Sequence, residues 1–168
     1  MAAIRPPTAV IAADVTPTLA NYLPVVQKPE NTPTNTATPL PPTPTSTPQP
    51  PPADVRIVTI LYNPAGDDVQ GEYVQLQNFG GSTAVMTGWT LRDESSHVFT
   101  FPSGFSLAVN AAVRVWTKSG ANTATDLYFG SAAAIWNNTG DTAFLRNGSG
   151  QTVDTCSYGG GGSTANCN

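Results

Sequence analysis

Gly71-Glu72-Tyr73-Val74-Gln75-Leu76-Gln77-Asn78 decides the fold: Val74 and Leu76 alternate with Tyr73, Gln75 and Gln77, and a Gly80-Gly81-Ser82 turn signal follows. A period of two between turn residues is the pattern of a strand with one face buried and one face wet. The same pattern recurs downstream. Trp89 and Leu91 alternate with Thr90 and Arg92, Val113 and Val115 with Arg114 and Trp116, and Ala143 and Leu145 with Phe144 and Arg146. Further turn signals stand at Gly66-Asp67-Asp68, Asp93-Glu94-Ser95-Ser96, Ser119-Gly120 and Asn147-Gly148-Ser149-Gly150. Roughly eight strands with this spacing predict a β-sandwich. The pattern leaves room for one brief helix, at Ser131-Ala132-Ala133-Ala134.

Upstream of Val55 the composition changes abruptly. Fourteen of the 16 prolines lie before Ala53, which leaves Pro64 and Pro102 for the rest of the 168-residue chain. Three regions result: an apolar N-terminal segment (1–31), a Pro/Thr-rich extended linker (32–53) and a sandwich-sized domain (54–168). In the first, Thr8 to Val15 and Leu19 to Val26 are short apolar stretches punctuated by prolines. They are either a remnant beside a lost anchor or strands that add to a sheet edge, on the same molecule or on a neighbour. The linker favours polyproline II, a semi-rigid spacer of about 65 Å when fully extended. Thr34, Thr38, Thr43, Thr45 and Thr47 stand beside prolines, the usual setting for O-linked sugar, and a bare stalk is the alternative.

The strand pieces also carry a family resemblance. Val55 to Pro64 looks like an opening strand and its turn, followed by Gly71-Glu72-Tyr73-Val74, Gly88-Trp89-Thr90-Leu91, Trp136-Asn137-Asn138-Thr139-Gly140-Asp141, and a last hairpin of Asp141 to Leu145 and Gly150 to Asp154. In this order they resemble the lamin-tail domain of secreted bacterial type, from Val55 to about Tyr158. The resemblance implies an all-β, immunoglobulin-like β-sandwich. Unlike the animal lamins, the chain has no preceding coiled-coil rod and adds a cysteine pair, so filament formation through a helical rod does not carry over.

Charge is sparse at 11%, with a net of −4. Beyond Ala53 nine acids meet five bases, with no basic footprint to displace counterions from phosphates, so nucleic acid is not an expected partner. Low charge with abundant Thr, Ser, Asn and Gly suits an extracellular or cell-surface protein. No stretch of ~20 apolar residues is present to span a bilayer. Met1 to Pro7 lacks a signal peptide's basic front, and Asp14 breaks the apolar run that follows, so export is inferred on the expectation that a signal or anchor has been removed. Cys156 and Cys167 flank Gly159-Gly160-Gly161-Gly162, which lets the chain double back. A disulfide over that loop stabilises by roughly 3 kcal/mol in the chain-entropy model, and free thiols on a tail are the alternative.

Several residue groups carry side chains of the kind that chemistry needs. His97, beside Ser95, Ser96, Asp93 and Glu94, has the membership of a catalytic triad but lies in one tight turn, whereas triad members come from separate segments that the fold aims at one another. Asp67-Asp68, Asp93-Glu94, Asp141 and Asp154 offer oxygen ligands for calcium without EF-hand spacing, and turn chemistry explains them equally. Trp89, Trp116, Trp136, Tyr73, Tyr128 and Tyr158 are candidates for a carbohydrate-stacking face; Trp89 fits the core, and Trp116, Trp136 and Tyr128 are the foremost ligand-stacking candidates of the rest. The expectation is therefore a protein without catalytic residues, cofactor or metal. It acts as an extracellular structural module for self-assembly or adhesion, as a filament or surface-layer subunit, with other copies of itself, cell-envelope components or a glycan as partners. The alternative is a targeting or polymer-binding module, because lamin-tail-like domains often accompany secreted hydrolases.

Overall fold

The computed structural model describes residues 48–167. The N-terminal segment, the linker up to Thr47 and all five candidate threonines lie outside the described residues. Eleven strands and one helical turn follow in the order β1 (Val55–Leu61), α1 (Asp68–Gly71), β2 (Tyr73–Asn78), β3 (Ala84–Val85), β4 (Thr90–Arg92), β5 (Val98–Thr100), β6 (Ser106–Leu107), β7 (Ala112–Trp116), β8 (Asp126–Tyr128), β9 (Asp141–Arg146), β10 (Thr152–Tyr158) and β11 (Thr164–Asn166). They form a five-stranded sheet β11-β1-β2-β7-β8 and a four-stranded sheet β10-β9-β4-β5, with β3 and β6 as a separate pair. The fold is an immunoglobulin-like β-sandwich. The expected count of roughly eight strands is too low because β3, β6 and β11 are two or three residues long and too short to show a period.

The helical turn also lies elsewhere than expected. Asp67 caps α1 by accepting the Gln70 backbone N–H. Ser131 to Ala134 is not helical, because the Ser131 hydroxyl bonds the Ala133 carbonyl and accepts the Ala133 N–H, a local turn that competes with helix formation.

Alternation makes the core. Ile60, Val74, Val115 and Leu127 stand in one register row across four strands of the larger sheet, and all are fully buried. Leu91, Phe99, Ala143, Leu145 and Cys156 come from the other sheet. Each large side chain buried this way stabilises by about 1.5–3 kcal/mol.

Strand β2 is held at both ends by buried polar residues. At one end Asn78, fully buried, accepts the Asp54 and Gly80 N–H groups on Oδ1, and its amide donates to the Ser82, Leu107 and Ala108 carbonyls. The incoming chain docks here too, since Gly81 N–H bonds the Pro52 carbonyl and Ser82 Oγ bonds that of Pro51. A Cβ on Gly80 would overlap the Pro52 carbonyl oxygen, which is why glycine stands there. At the other end Glu72, equally buried, accepts the Ile135 N–H and the Thr117 hydroxyl on Oε2, tying β2 to the end of β7 and to the loop that carries Trp136. Burial raises the Glu72 pKa above the usual carboxylate range, opposed by those hydrogen bonds and one from the Trp136 backbone.

One side of the sandwich is closed covalently. A bulge in β1 shifts register between Ile57 and Thr59; Asp154 of β10 accepts the Ile57 N–H there, and Val58 O accepts the Cys167 N–H. The Cys156–Cys167 disulfide, with Cα atoms 5.6 Å apart, then links edge strand β10 to the residue after edge strand β11.

Candidate functional site

Whatever β2, β7 and β8 turn inward, their alternate residues must turn outward. Register places those outward residues in rows. Tyr73 of β2 pairs with Trp116 of β7, which pairs with Tyr128 of β8, giving three aromatic rings side by side on the solvent face of the five-stranded sheet. The next row on that face is Gln75, Arg114 and Asp126. Neither row contributes to the buried core.

The two rows are knitted together. The Tyr73 and Trp116 rings lie 4.9 Å apart between centroids and are tilted by 57°. The Arg114 guanidinium lies over both, at 5.3 Å from Tyr73 and 6.0 Å from Trp116. Lys118, two residues beyond Trp116, places its ammonium 4.5 Å from the same indole. The Trp116 indole N–H donates to Asp126 Oδ1 at 2.8 Å, and Asp126 Oδ2 accepts the Thr125 hydroxyl at 2.8 Å. These hydrogen bonds, the indole's first, hold the Asp126 carboxyl below the usual range, with Arg114 and Lys118 adding to the effect. Beside this group a shallow cleft of about 310 Å³ is lined by Gln75, Arg114, Thr125 and Asp126 among others. That volume is at the small end of ligand sites.

Of the three candidate stacking residues, two share this face and one does not. Trp136 is 1% exposed and packs in the core beside Ile135, so it presents no ring to a ligand. Its position between Ile135 and the turn Asn137-Asn138-Thr139-Gly140 hides this in the sequence, because a single aromatic in a loop has no period to read. Trp116 and Tyr128 are half-buried neighbours, yet neither is a bare platform: cations lie over the indole, and Gly120 packs so closely on Tyr128 that a Cβ there would overlap the ring. The surface is thus aromatic and cationic. Trp89 packs against the core, and Tyr158 stacks on Tyr62 at 4.2 Å. Tyr73, one of the six aromatic candidates, shares the face, whereas Gln75, Arg114 and Asp126 carry no site signal in the sequence, although alternation alone turns Gln75 and Arg114 outward.

The remaining candidates are held by local structure. Asp93, fully buried, accepts the Ser96 and His97 backbone N–H groups and contacts His97 Nδ1 at 2.6 Å, closing the β4–β5 turn. Asp141 accepts the Glu94 and Thr142 N–H groups on one oxygen and the Asn137 backbone and side-chain N–H groups on the other. Asp68 accepts the Asn138 amide, while Asp154 serves the β1 bulge. Among the described residues, no three of the His, Cys, Asp and Glu side chains converge as metal ligands would. Nor is any helix there long and apolar enough to cross a membrane.

No curated protein matches the chain significantly. Residues 48–160 match the family model described as Lamin Tail Domain, an immunoglobulin-like structural domain and not a catalytic family. The match covers more than half of the chain and takes in strands β1 to β10 of the sandwich described above, so the chain belongs to the Lamin Tail Domain family.

Proposed function

We propose that this protein is a non-enzymatic extracellular module that adheres to cell-envelope material through the outer face of its five-stranded sheet. The observation that carries the reading is the Tyr73–Trp116–Tyr128 row: three aromatic side chains aligned by register on a face that the core does not need. Large amphipathic rings at low entropic cost are what contact surfaces use. The disulfide supports an oxidising, extracellular setting. The carboxylates most suggestive of catalysis are spent on backbone N–H groups, which favours contact over reaction. Self-assembly through the apolar N-terminal segment would be a second use of the chain and rests on residues outside those described.

The test is retention on envelope preparations from the source organism. Wild type and a Phe144→Ala variant on the opposite sheet are expected to bind alike, and a Tyr73→Ala/Trp116→Ala double variant is expected to be lost to the supernatant. Equal retention of all three would contradict the reading.

A further inference from the structure

We propose that the cleft beside Arg114 binds an acidic sugar unit of an extracellular polysaccharide, a ligand class that rests on the adhesive reading above and makes it specific. The domain is acidic, with nine acids against five bases beyond Ala53, and two of those bases, Arg114 and Lys118, stand on this face with Asp126 as their nearby carboxylate. Arg114 and Lys118 make no ion pair within 4 Å and no side-chain hydrogen bond among the described residues, unlike Arg56, which is bound to Asp54. Their charges rest instead on the Tyr73 and Trp116 rings. Cation–π contact leaves guanidinium N–H donors directed elsewhere, and Arg114 presents a planar fork that matches a carboxylate.

Asp126 does not cancel that charge by direct contact. Its two oxygens are taken by the Trp116 indole and the Thr125 hydroxyl, while the remaining lone pairs suit sugar hydroxyls. Gln75 adds an amide on the other side of Arg114, able to donate or accept. A donor fork flanked by an amide and an ionised acceptor, beside a row of rings, matches a ring that carries one carboxylate and several hydroxyls. A plain anion would leave Gln75 and Asp126 unused; a neutral sugar would leave Arg114 and Lys118 unpaired.

Three soluble polymers separate these cases: polygalacturonate, neutral dextran and poly-L-glutamate, titrated into the intact protein by calorimetry at two salt concentrations. Polygalacturonate is expected to bind, weakening as salt rises, with the other two at least about ten-fold weaker. Exposed Arg114→Gln is expected to fold normally and to lose about ten-fold or more in affinity, and Lys118→Gln less. Equal binding of dextran would overturn the acidic component, and equal binding of poly-L-glutamate would overturn the sugar. If no polymer binds, the proposal fails. The adhesive reading fails with it only if the Tyr73→Ala/Trp116→Ala variant also keeps its hold on envelope material.

Discussion

The two outer faces of this sandwich are produced by the same alternation and look quite different. On the four-stranded sheet the rows read Val98–Arg92–Phe144–Thr155 and Thr100–Thr90–Arg146–Thr152, mostly β-branched residues with one ring beneath an arginine. That is what a strand needs to sit half-wet. On the five-stranded sheet the corresponding rows read Thr164–Leu61–Tyr73–Trp116–Tyr128 and Asn166–Thr59–Gln75–Arg114–Asp126, with three aromatic residues together on β2, β7 and β8. The first solution is the ordinary one for a half-wet sheet, and it is the second face that the proposed adhesion uses.

The sharpest way to break this contrast compares two tryptophans. Trp136→Ala empties a buried site and is expected to cost about 3–5 kcal/mol in urea unfolding. Trp116→Ala, on the outer face, is expected to cost about 1 kcal/mol or less while abolishing retention on the envelope polymer. Comparable destabilisation by both would make Trp116 a structural residue.

The disulfide gives the next largest effect. Replacing Cys156 and Cys167 by serine is expected to lower stability by about 3 kcal/mol and to remove hydrogen-exchange protection from Thr164 to Asn166, since the bridge ties the β11 region to β10. Polymer binding should not change, because the bridge closes the side of the sandwich away from β8. A loss of binding would show that the face depends on that closure.

Glu72 tests the interior beneath the aromatic row. Glu72→Ala leaves the Ile135 N–H without its partner and is expected to cost about 1–3 kcal/mol. The folded Glu72 pKa is raised, so the folded state holds its proton more tightly than the unfolded chain. Its contribution to stability is therefore present below the unfolded carboxylate pKa and declines as pH rises through the raised folded value. Glu72→Gln should flatten that decline in denaturation measured against pH. An unchanged profile would remove Glu72 from the account.

Asp126 gives the smallest effect, with the opposite sign. Its folded pKa is lowered, so its contribution is present above the unfolded pKa and is lost as pH falls through the lowered value. The Trp116 indole N–H resonance should hold its bonded position below the pH at which an ordinary aspartate protonates, about 3.9, and should lose this pH-dependent shift in Asp126→Asn. Movement at the ordinary pH would mean that the indole and carboxylate are not joined.

The sandwich was legible because Val74 and Leu76, Val113 and Val115, and Ala143 and Leu145 repeat with period two and are buried as that period requires. The cysteine pair was legible because glycines between the two residues let the chain turn back. The candidate face was only half legible. Alternation turns Tyr73 and Trp116 outward, but register alone puts Tyr128 in their row and Asp126 beside Arg114, and β8 pairs with β7 in parallel across a long connection that no local signal fixes. Trp136 misled because burial in a loop is decided by Glu72, more than sixty residues away, which anchors the neighbouring backbone.

The most direct test of the central claim is a titration of isotopically labelled protein with galacturonate oligomers, followed by chemical-shift mapping. The account expects perturbations at the Trp116 indole N–H, the Gln75 side-chain amide and the backbone of β7 and β8, with the β4, β5 and β9 strands silent. Shifts centred on the Phe144 face, or none at saturating oligomer, would contradict it.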